Sequence, residues 1–466
     1  MVVMARLLVP EEFGLVGMVT AVTGILGMFR DAGLSMVTIQ RATITDEQIS
    51  MLFWINMALG VILGGLSIAF APALVSFYRE PRLFWVTVVL AAGFVFNAAS
   101  TQHQAILQRQ MRFVALSVIE ILSMLIGMVV GISMAVLGFG YWALVGMAII
   151  LQFANTVLVW MTTAWIPGMP RRNIGTRSML HFGGTVTLNS IVVYLAYNAE
   201  KVLLGRFWGA DALGIYGRAY QLINLPTEQL NSAVGWVAIP ALSRLQEDPK
   251  RLRTYFLKGY SLILAITIPV TIACALFADD IIYILLGPKW MKAAVIFRLL
   301  APTVLAFALI NPFGWLLWST GKIRRSLNMA LVIAPLVIAG YVAGLRYGPG
   351  GVAVGYSAVM TLLIVPMIAW AKHRSPISSR DIWQVVSLPL LSGIVAATLT
   401  AGVQFLFGRS LSPLPRILLV TIVLFGSYLW VLLHVMGQKV MYLDLLRELR
   451  KRSTDGGEVS AFEAPS

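Results

Sequence analysis

Residues 114–137 read VALSVIEILSMLIGMVVGISMAVL, an apolar run broken by Ser117, Glu120, Ser123 and Ser133. A backbone that crosses lipid must satisfy its own hydrogen bonds, so only helices and closed barrels span a bilayer. Barrel strands alternate apolar and polar residues over about ten positions, and this stretch does not alternate. It exceeds the roughly 20 residues that a transmembrane helix needs.

The rest of the chain repeats that pattern. Of 466 residues, 59% are hydrophobic and 12% charged, where a soluble globular chain carries about 25% charged residues. Too little polar surface remains to coat a water-soluble particle. A soluble enzyme, a disordered chain and a fibre are excluded, and the composition predicts an all-α polytopic membrane protein. Apolar length places spans near 12–30, 50–72, 83–102, 113–137, 141–164, 179–199, 212–240, 255–278, 293–318, 326–345, 350–371, 383–407 and 415–436. Met1 to Leu8 reads as the tail of a fourteenth, truncated at its start. The single cysteine, Cys274, lies in an apolar segment, which argues against a disulfide framework or a thiolate metal cluster. Met1 to Val9 is short and runs into Pro-Glu-Glu without the small-residue site of a cleavable leader.

Orientation follows from lysine and arginine in the connecting loops. Loops around 30–48, 103–112, 165–178, 241–258, 319–325, 372–382 and 437–466 hold 23 basic residues, and the opposite set holds 10. The first set is expected to be cytoplasmic, with both native termini inside. This distribution, rather than nucleic-acid binding, accounts for the net charge of +15.

An internal repeat sets the architecture. ARLLVPEEFGLVG (5–17) aligns with GRFWGADALGIYG (205–217), matching Arg6 with Arg206, Glu11 with Asp211, Gly14 with Gly214 and Gly17 with Gly217. Further along the offset becomes 210: Gly138 meets Gly348, Gly140 meets Gly350, Ala143 meets Ala353 and Trp160 meets Trp370. The basic turns RQMR (109–112) and KIRR (322–325) occupy equivalent loops. Six spans separate the paired elements, so both copies cross in the same direction, as in parallel-repeat transporters. The reading is two pseudo-symmetric six-helix lobes, 1–165 and 178–373, working by alternating access. An extra transmembrane pair follows at 382–437. Residues 438–466 comprise a basic amphipathic helix suited to an anionic membrane surface and a disordered tail.

At these residues the chain resembles a known family. ARLLVPEEFGL, FRDAGL (29–34), YNAEKVLLGRFWGADALGIYGRAYQLINLP (197–226), IPALSRLQED (239–248) and LLGPKWMKAA (285–294) look like the polysaccharide-exporter pattern. They are similar to the Wzx-type flippases of the multidrug/oligosaccharidyl-lipid/polysaccharide superfamily, in particular the lipopolysaccharide and colanic-acid exporters. The resemblance implies fourteen helices and export of undecaprenyl-pyrophosphate-linked oligosaccharide repeat units across the bacterial inner membrane. Its implied partners are the lipid-linked oligosaccharide, membrane lipids, a coupling proton or sodium ion, and other polysaccharide assembly proteins. Two departures stand out: the shortened first span, and Glu200 where family members often carry aspartate.

Such a flippase performs no covalent chemistry and needs no cofactor. It needs cations for pyrophosphate, a polar wall for sugar, and a group that resets the cycle. Ionisable residues within spans are functional candidates by default. Arg218 is the leading pyrophosphate contact, since a guanidinium fork matches phosphate oxygens; a structural pair with Glu200 or Glu228 is its plainer reading. Arg30 and Lys201 are further cations for the substrate. Tyr194, Asn198, Tyr216, Tyr220, Gln221 and Asn224 fit a sugar path, although aromatics also form an ordinary interfacial belt. Glu228, Glu120, Glu200 and Asp31 are candidates for ion coupling, or for local pairing. Arg298 reads as structural, and Asn56, Asn97 and Asn311 as interhelical hydrogen bonds. GxxxxGK[ST] and HExxH are absent and the four histidines are scattered, so neither an ATPase module nor a catalytic metal is expected.

The rival functions are a drug/cation antiporter of the same superfamily, a lipid II flippase, and a polytopic polysaccharide polymerase or ligase. The last usually displays a large outer loop, and the longest one here, 279–292, is short. The topology is testable: a Ser453→Cys chain should resist an impermeant thiol reagent in intact cells and react after permeabilisation.

Overall fold

The computed structural model describes residues 2–30, 33–41, 43–169, 177–407, 412–440 and 442. Asp31 and most of the basic C-terminal stretch lie outside the described residues.

Every regular element among the described residues is a helix. It begins with α1 (Val2–Leu7), α2 (Pro10–Gly27), α3 (Leu34–Gln40), α4 (Asp46–Tyr78), α5 (Leu83–Arg109), α6 (Phe113–Val136) and α7 (Trp142–Thr163). Next come α8 (Arg177–Ser243), α9 (Pro249–Leu276), α10 (Ala278–Leu285), α11 (Met291–Ser319), α12 (Ile323–Leu345) and α13 (Gly348–Lys372). The last are α14 (Ser379–Phe407) and α15 (Pro413–Trp430). Among the described residues, ten helices are long and apolar enough to cross a membrane. The other three stretches read as spans, 12–30, 179–199 and 212–240, fall in α2 and α8, which carry most of the candidate polar residues.

Local chemistry starts these helices where they start. Pro10 takes the first helical position of α2, where its missing N–H is no loss, and the Glu12 carboxylate accepts the Val9 N–H at 2.8 Å. At α4, Thr45 and Gln48 form a reciprocal capping box. At α9, Asp248 accepts the backbone N–H groups of Lys250 and Arg251.

The helices divide into two compact units. One holds the described residues of 1–219, 285–296 and 330–356; the other holds 220–284, 297–329 and those after 356. These units do not follow the expected boundary near residue 170, because α8, α11, α12 and α13 each contribute to both.

The first unit is organised by a helix crossing. A Cβ on Gly14 would lie 1.8 Å from the Ala210 carbonyl oxygen, and one on Gly214 would lie 1.8 Å from the Pro10 carbonyl oxygen. Pro10 pairs with Ala210 and Gly14 with Gly214 at the repeat offset of 200, so the contact is reciprocal. A reciprocal contact between repeat-equivalent residues is what a local two-fold axis produces. Backbones approach this closely only where both surfaces are small.

The break between α1 and α2 also has its counterpart. Where a loop over 200–211 is expected, two helices, the first and second arms of α8, meet directly at a break at Gly209 (φ 80°, ψ −175°). A residue without Cβ takes that conformation at little cost, and one such residue turns the chain without a loop.

Backbone conformation carries the repeat further. Residues with positive φ recur in pairs: Arg79 and Gly287, Met111 and Gly321, Gly138 and Gly348, Ala164 and Arg374. Arg112 N–H bonds to Leu107 O, and Lys322 N–H to Leu317 O, closing equivalent helix ends. These bonds align 109–112 with 319–322, three residues from the register in which RQMR faces KIRR.

Elsewhere in the first unit, Gly60 of α4 packs on Ala98 of α5, and Gly131 of α6 packs on Met147 of α7. Thr38 donates to Gln102 at 2.7 Å, and Arg109 donates to the carbonyls of Thr38 and Arg41, which seats α3 on α5. Asn56, expected to bond across helices, is fully buried with neither side-chain polar atom partnered among the described residues.

In the second unit, forked ion pairs fasten the C-terminal helices at both ends. Arg253 of α9 holds Asp381 of α14, with Nε 2.8 Å from Oδ2. Arg416 of α15 holds the buried Asp280 of α10, with Nε 2.9 Å from Oδ2. Bidentate pairs of this kind are the stronger class of ionic contact. Arg298 pairs with Asp279 at 2.5 Å, the structural role its sequence position indicates.

The crossing makes a discriminating prediction. Gly14→Leu and Gly214→Leu should each destabilise by about 3 kcal/mol or more, beyond ordinary overpacking, with loss of monodisperse protein after detergent extraction. Gly217→Ala, with nothing within 4 Å of the new Cβ, should keep a wild-type elution profile and melting point.

Candidate functional site

The first arm of α8 aligns three candidates on one face, at positions i, i+4 and i+7. The Tyr194 hydroxyl donates to the carbonyls of Thr20 and Ala21, at 3.2 and 3.3 Å, and so ties this arm to α2. Asn198 donates to the Tyr194 carbonyl at 2.9 Å, and the Lys201 ammonium donates to Asn198 Oδ1 at 2.7 Å. Gly24 makes room for the ring: a Cβ there would lie 1.9 Å from the Tyr194 hydroxyl. The amide of Asn198 thereby holds the ammonium of Lys201 in place.

Glu200 lies beside this ladder on a different face of the helix. It is 0% exposed, and neither carboxyl oxygen has a hydrogen-bond partner among the described residues. Lys201 is a charge that acts on it. An ionised carboxylate without hydrogen bonds is expensive to bury, and a bound cation or a proton removes that cost.

Arg218 sits four residues past Gly214. Its guanidinium carbon lies 3.9 Å from the centroid of the Phe13 ring, a cation–π arrangement. Phe13 meets Trp290 edge-on at 5.3 Å, and the Trp290 indole donates to the Ala5 carbonyl at 2.7 Å. Arg218 therefore rests on an aromatic stack anchored to α1, close to the helix crossing. Tyr216 nearby is fully buried. On the same loop side, Arg82 bridges Glu11 at 2.5 Å and Glu80 at 2.7 Å. The guanidinium holds the Glu80 carboxyl below the usual carboxylate range.

The remaining candidates are dispersed. Arg30 is exposed at the end of α2. In the second unit, Tyr220 is half-buried, Asn224 is buried, and Gln221 and Glu228 are exposed on α8. Glu120 is exposed on α6 between the exposed Val118 and Ile121, apart from the α8 ladder.

The second unit also contains a cavity of about 600 Å³ that sequence reading does not pick out. Asn231, Ser232, Gly235, Ile239 and Pro240 of α8 line it, with Asn311, Gly314, Trp315 and Trp318 of α11 and Ser326 of α12. Asn311, expected to bond across helices, faces this space. A signal was present: Asn311, Trp315 and Trp318 at i, i+4, i+7 make a polar-aromatic stripe on one helical face, and Asn231 and Gly235 at i, i+4 share a face of α8.

Comparisons with known proteins bear on what this arrangement serves. A family model described as "Polysaccharide biosynthesis protein" matches residues 3–295. The chain is 31% identical to the teichuronic acid biosynthesis protein TuaB of Bacillus subtilis over 63% of its own length and 61% of that protein's. It is 30% identical to a membrane protein in the cps region of Klebsiella pneumoniae, over 76% of this chain and 74% of that one. To the lipopolysaccharide biosynthesis protein WzxC of Escherichia coli it is 25% identical, over 84% and 82%. In fold it is similar to the lipid II flippase MurJ (TM-score 0.73, 12% identity, 93% of this chain and 95% of that one). It also resembles an inward-facing multidrug transporter of the MATE family (TM-score 0.63, 17% identity, 80% and 92%).

The setting of Glu200 predicts that Glu200→Gln, which keeps the shape and removes the charge, melts at or above the wild-type temperature. A loss of more than about 1 kcal/mol, the size of a typical hydrogen bond, would mean that the carboxylate is structurally paired. Thermal unfolding of the purified full chain measures this.

Proposed function

The chain belongs to the polysaccharide biosynthesis protein family, and from that premise we propose that it is a Wzx-type exporter of the multidrug/oligosaccharidyl-lipid/polysaccharide superfamily that flips undecaprenyl-pyrophosphate-linked oligosaccharide repeat units. Movement runs from the inner to the outer leaflet of the bacterial inner membrane, for lipopolysaccharide or exopolysaccharide assembly, with both native termini in the cytoplasm.

The observation that carries this reading is Arg218, held on the Phe13 ring beside the Gly14–Gly214 crossing. A guanidinium offers a planar fork of donors to phosphate oxygens, and one of its faces is already occupied by the ring, which limits its swing. An amphiphilic drug cation does not call for an arginine there, which favours a pyrophosphate lipid over the antiporter alternative. Arg30, just past the C-terminal end of α2, and Asp31, the next residue in the sequence, are proposed to meet the headgroup on entry. Lys201 and Asn198, steadied by Tyr194, together with Tyr216, Tyr220, Gln221 and Asn224, are proposed to line its path.

Alternating access of the two lobes needs an energy source, and the proposed source is a proton or sodium ion. Glu200 is the best-supported coupling group, because it is buried without a hydrogen-bond partner among the described residues. Glu228, Glu120 and Asp31 are secondary candidates. A lipid II flippase remains the nearest rival; the family model and the polysaccharide relatives support the surface-polymer reading over it.

Complementation of a strain lacking its polysaccharide flippase tests the proposal. The wild-type chain should restore surface polymer, and Arg218→Ala should abolish it at an unchanged membrane level. Normal polymer from Arg218→Ala would remove that residue from the mechanism.

A further inference from the structure

We propose that the cavity in the second unit is a saccharide subsite, gripping the sugar headgroup through Asn231, Asn311 and Trp315; this rests on the lipid-linked glycan reading above. A pyranose ring presents two chemistries at once. Its hydroxyls both donate and accept hydrogen bonds around the edge, while the C–H groups make its faces apolar. The cavity offers the complement of each. The amides of Asn231 and Asn311 and the hydroxyls of Ser232 and Ser326 donate and accept. The indoles of Trp315 and Trp318 supply flat apolar faces, and Trp315 carries an N–H at its edge.

Other occupants fit less well. Among the described lining residues none is charged, so a phosphate would find no cation and a drug cation no carboxylate. A prenyl tail would match the apolar part of the lining but would leave Asn231 and Asn311 without hydrogen-bond partners.

Two further observations point to a polar ligand. Asn231 Oδ1 is buried without a hydrogen-bond partner among the described residues, whereas buried polar atoms are normally paired. The aromatic wall is also set in place. Trp318 Nε1 donates to Ser326 Oγ at 3.2 Å. A Cβ at Gly235 would come within 3.1 Å of Trp315 Nε1, so glycine at 235 leaves that indole N–H accessible. The volume of about 600 Å³ falls within the roughly 300–1,000 Å³ typical of small-molecule pockets and suits a short saccharide.

The test uses the purified full chain and four lipid probes. These are undecaprenyl pyrophosphate alone, and the same lipid carrying glucose, galactose or N-acetylglucosamine, with binding read by ligand-induced thermal stabilisation. At least one sugar-bearing lipid should bind the wild-type chain about tenfold more tightly than the bare lipid. Asn231→Ala, Asn311→Ala and Gly235→Leu should lose that gain and keep the response to bare lipid, which also shows that they are folded. Retention of the sugar gain in all three variants, or equal wild-type binding of all four lipids, overturns the subsite and leaves the flippase reading standing. No wild-type response to any of the four lipids removes that reading and the subsite with it.

Discussion

The close approach of two backbones at Gly14 and Gly214 is the constraint on which the first unit depends. Each glycine faces the carbonyl of the other helix's residue four positions earlier, Ala210 for Gly14 and Pro10 for Gly214. In lipid there is no hydrophobic effect to drive helices together, so association rests on close packing of this kind. The crossing places Phe13 beneath Arg218 and brings α2 alongside the first arm of α8, where Tyr194 reaches the carbonyls of Thr20 and Ala21. The aromatic stack under the arginine and the ladder ending at Lys201 therefore share a single origin.

Helix α8 concentrates the polar candidates. Its first arm carries the Tyr194–Asn198–Lys201 ladder and the buried Glu200, its second arm carries Arg218, and its far end supplies Asn231 and Gly235 to the cavity of the second unit. The break at Gly209 separates the first arm from the second. Hydrogen bonds between neighbouring turns link Asn198 to Tyr194 and Lys201 to Asn198, and such preorganisation would lower the ordering cost of the proposed headgroup contact.

The second unit is held differently. Forked pairs of Arg253 with Asp381 and Arg416 with Asp280 fasten α14 and α15 at opposite ends, while Gly393 lets α14 approach Ile268 of α9. Ionic contacts at the helix ends and small-residue packing between them leave the space lined by α8, α11 and α12 to neutral polar and aromatic side chains.

The sequence by itself determined the helical membrane class, the spans and the repeat. Lipid imposes length and apolarity on every crossing segment, and those properties are visible one residue at a time. It also marked Gly14 and Gly214 as equivalent and singled out Arg218 and Glu200, because charges within apolar runs stand out. Only the tertiary structure decided that the two glycines touch and that the break between the two arms of α8 falls at Gly209. It alone set Arg218 on Phe13, left Glu120 on an exposed face of α6, and turned Asn311 into a cavity wall rather than a helix-to-helix bond. Those outcomes depend on which faces meet across long separations in the chain, and helical periodicity names a face without naming its partner.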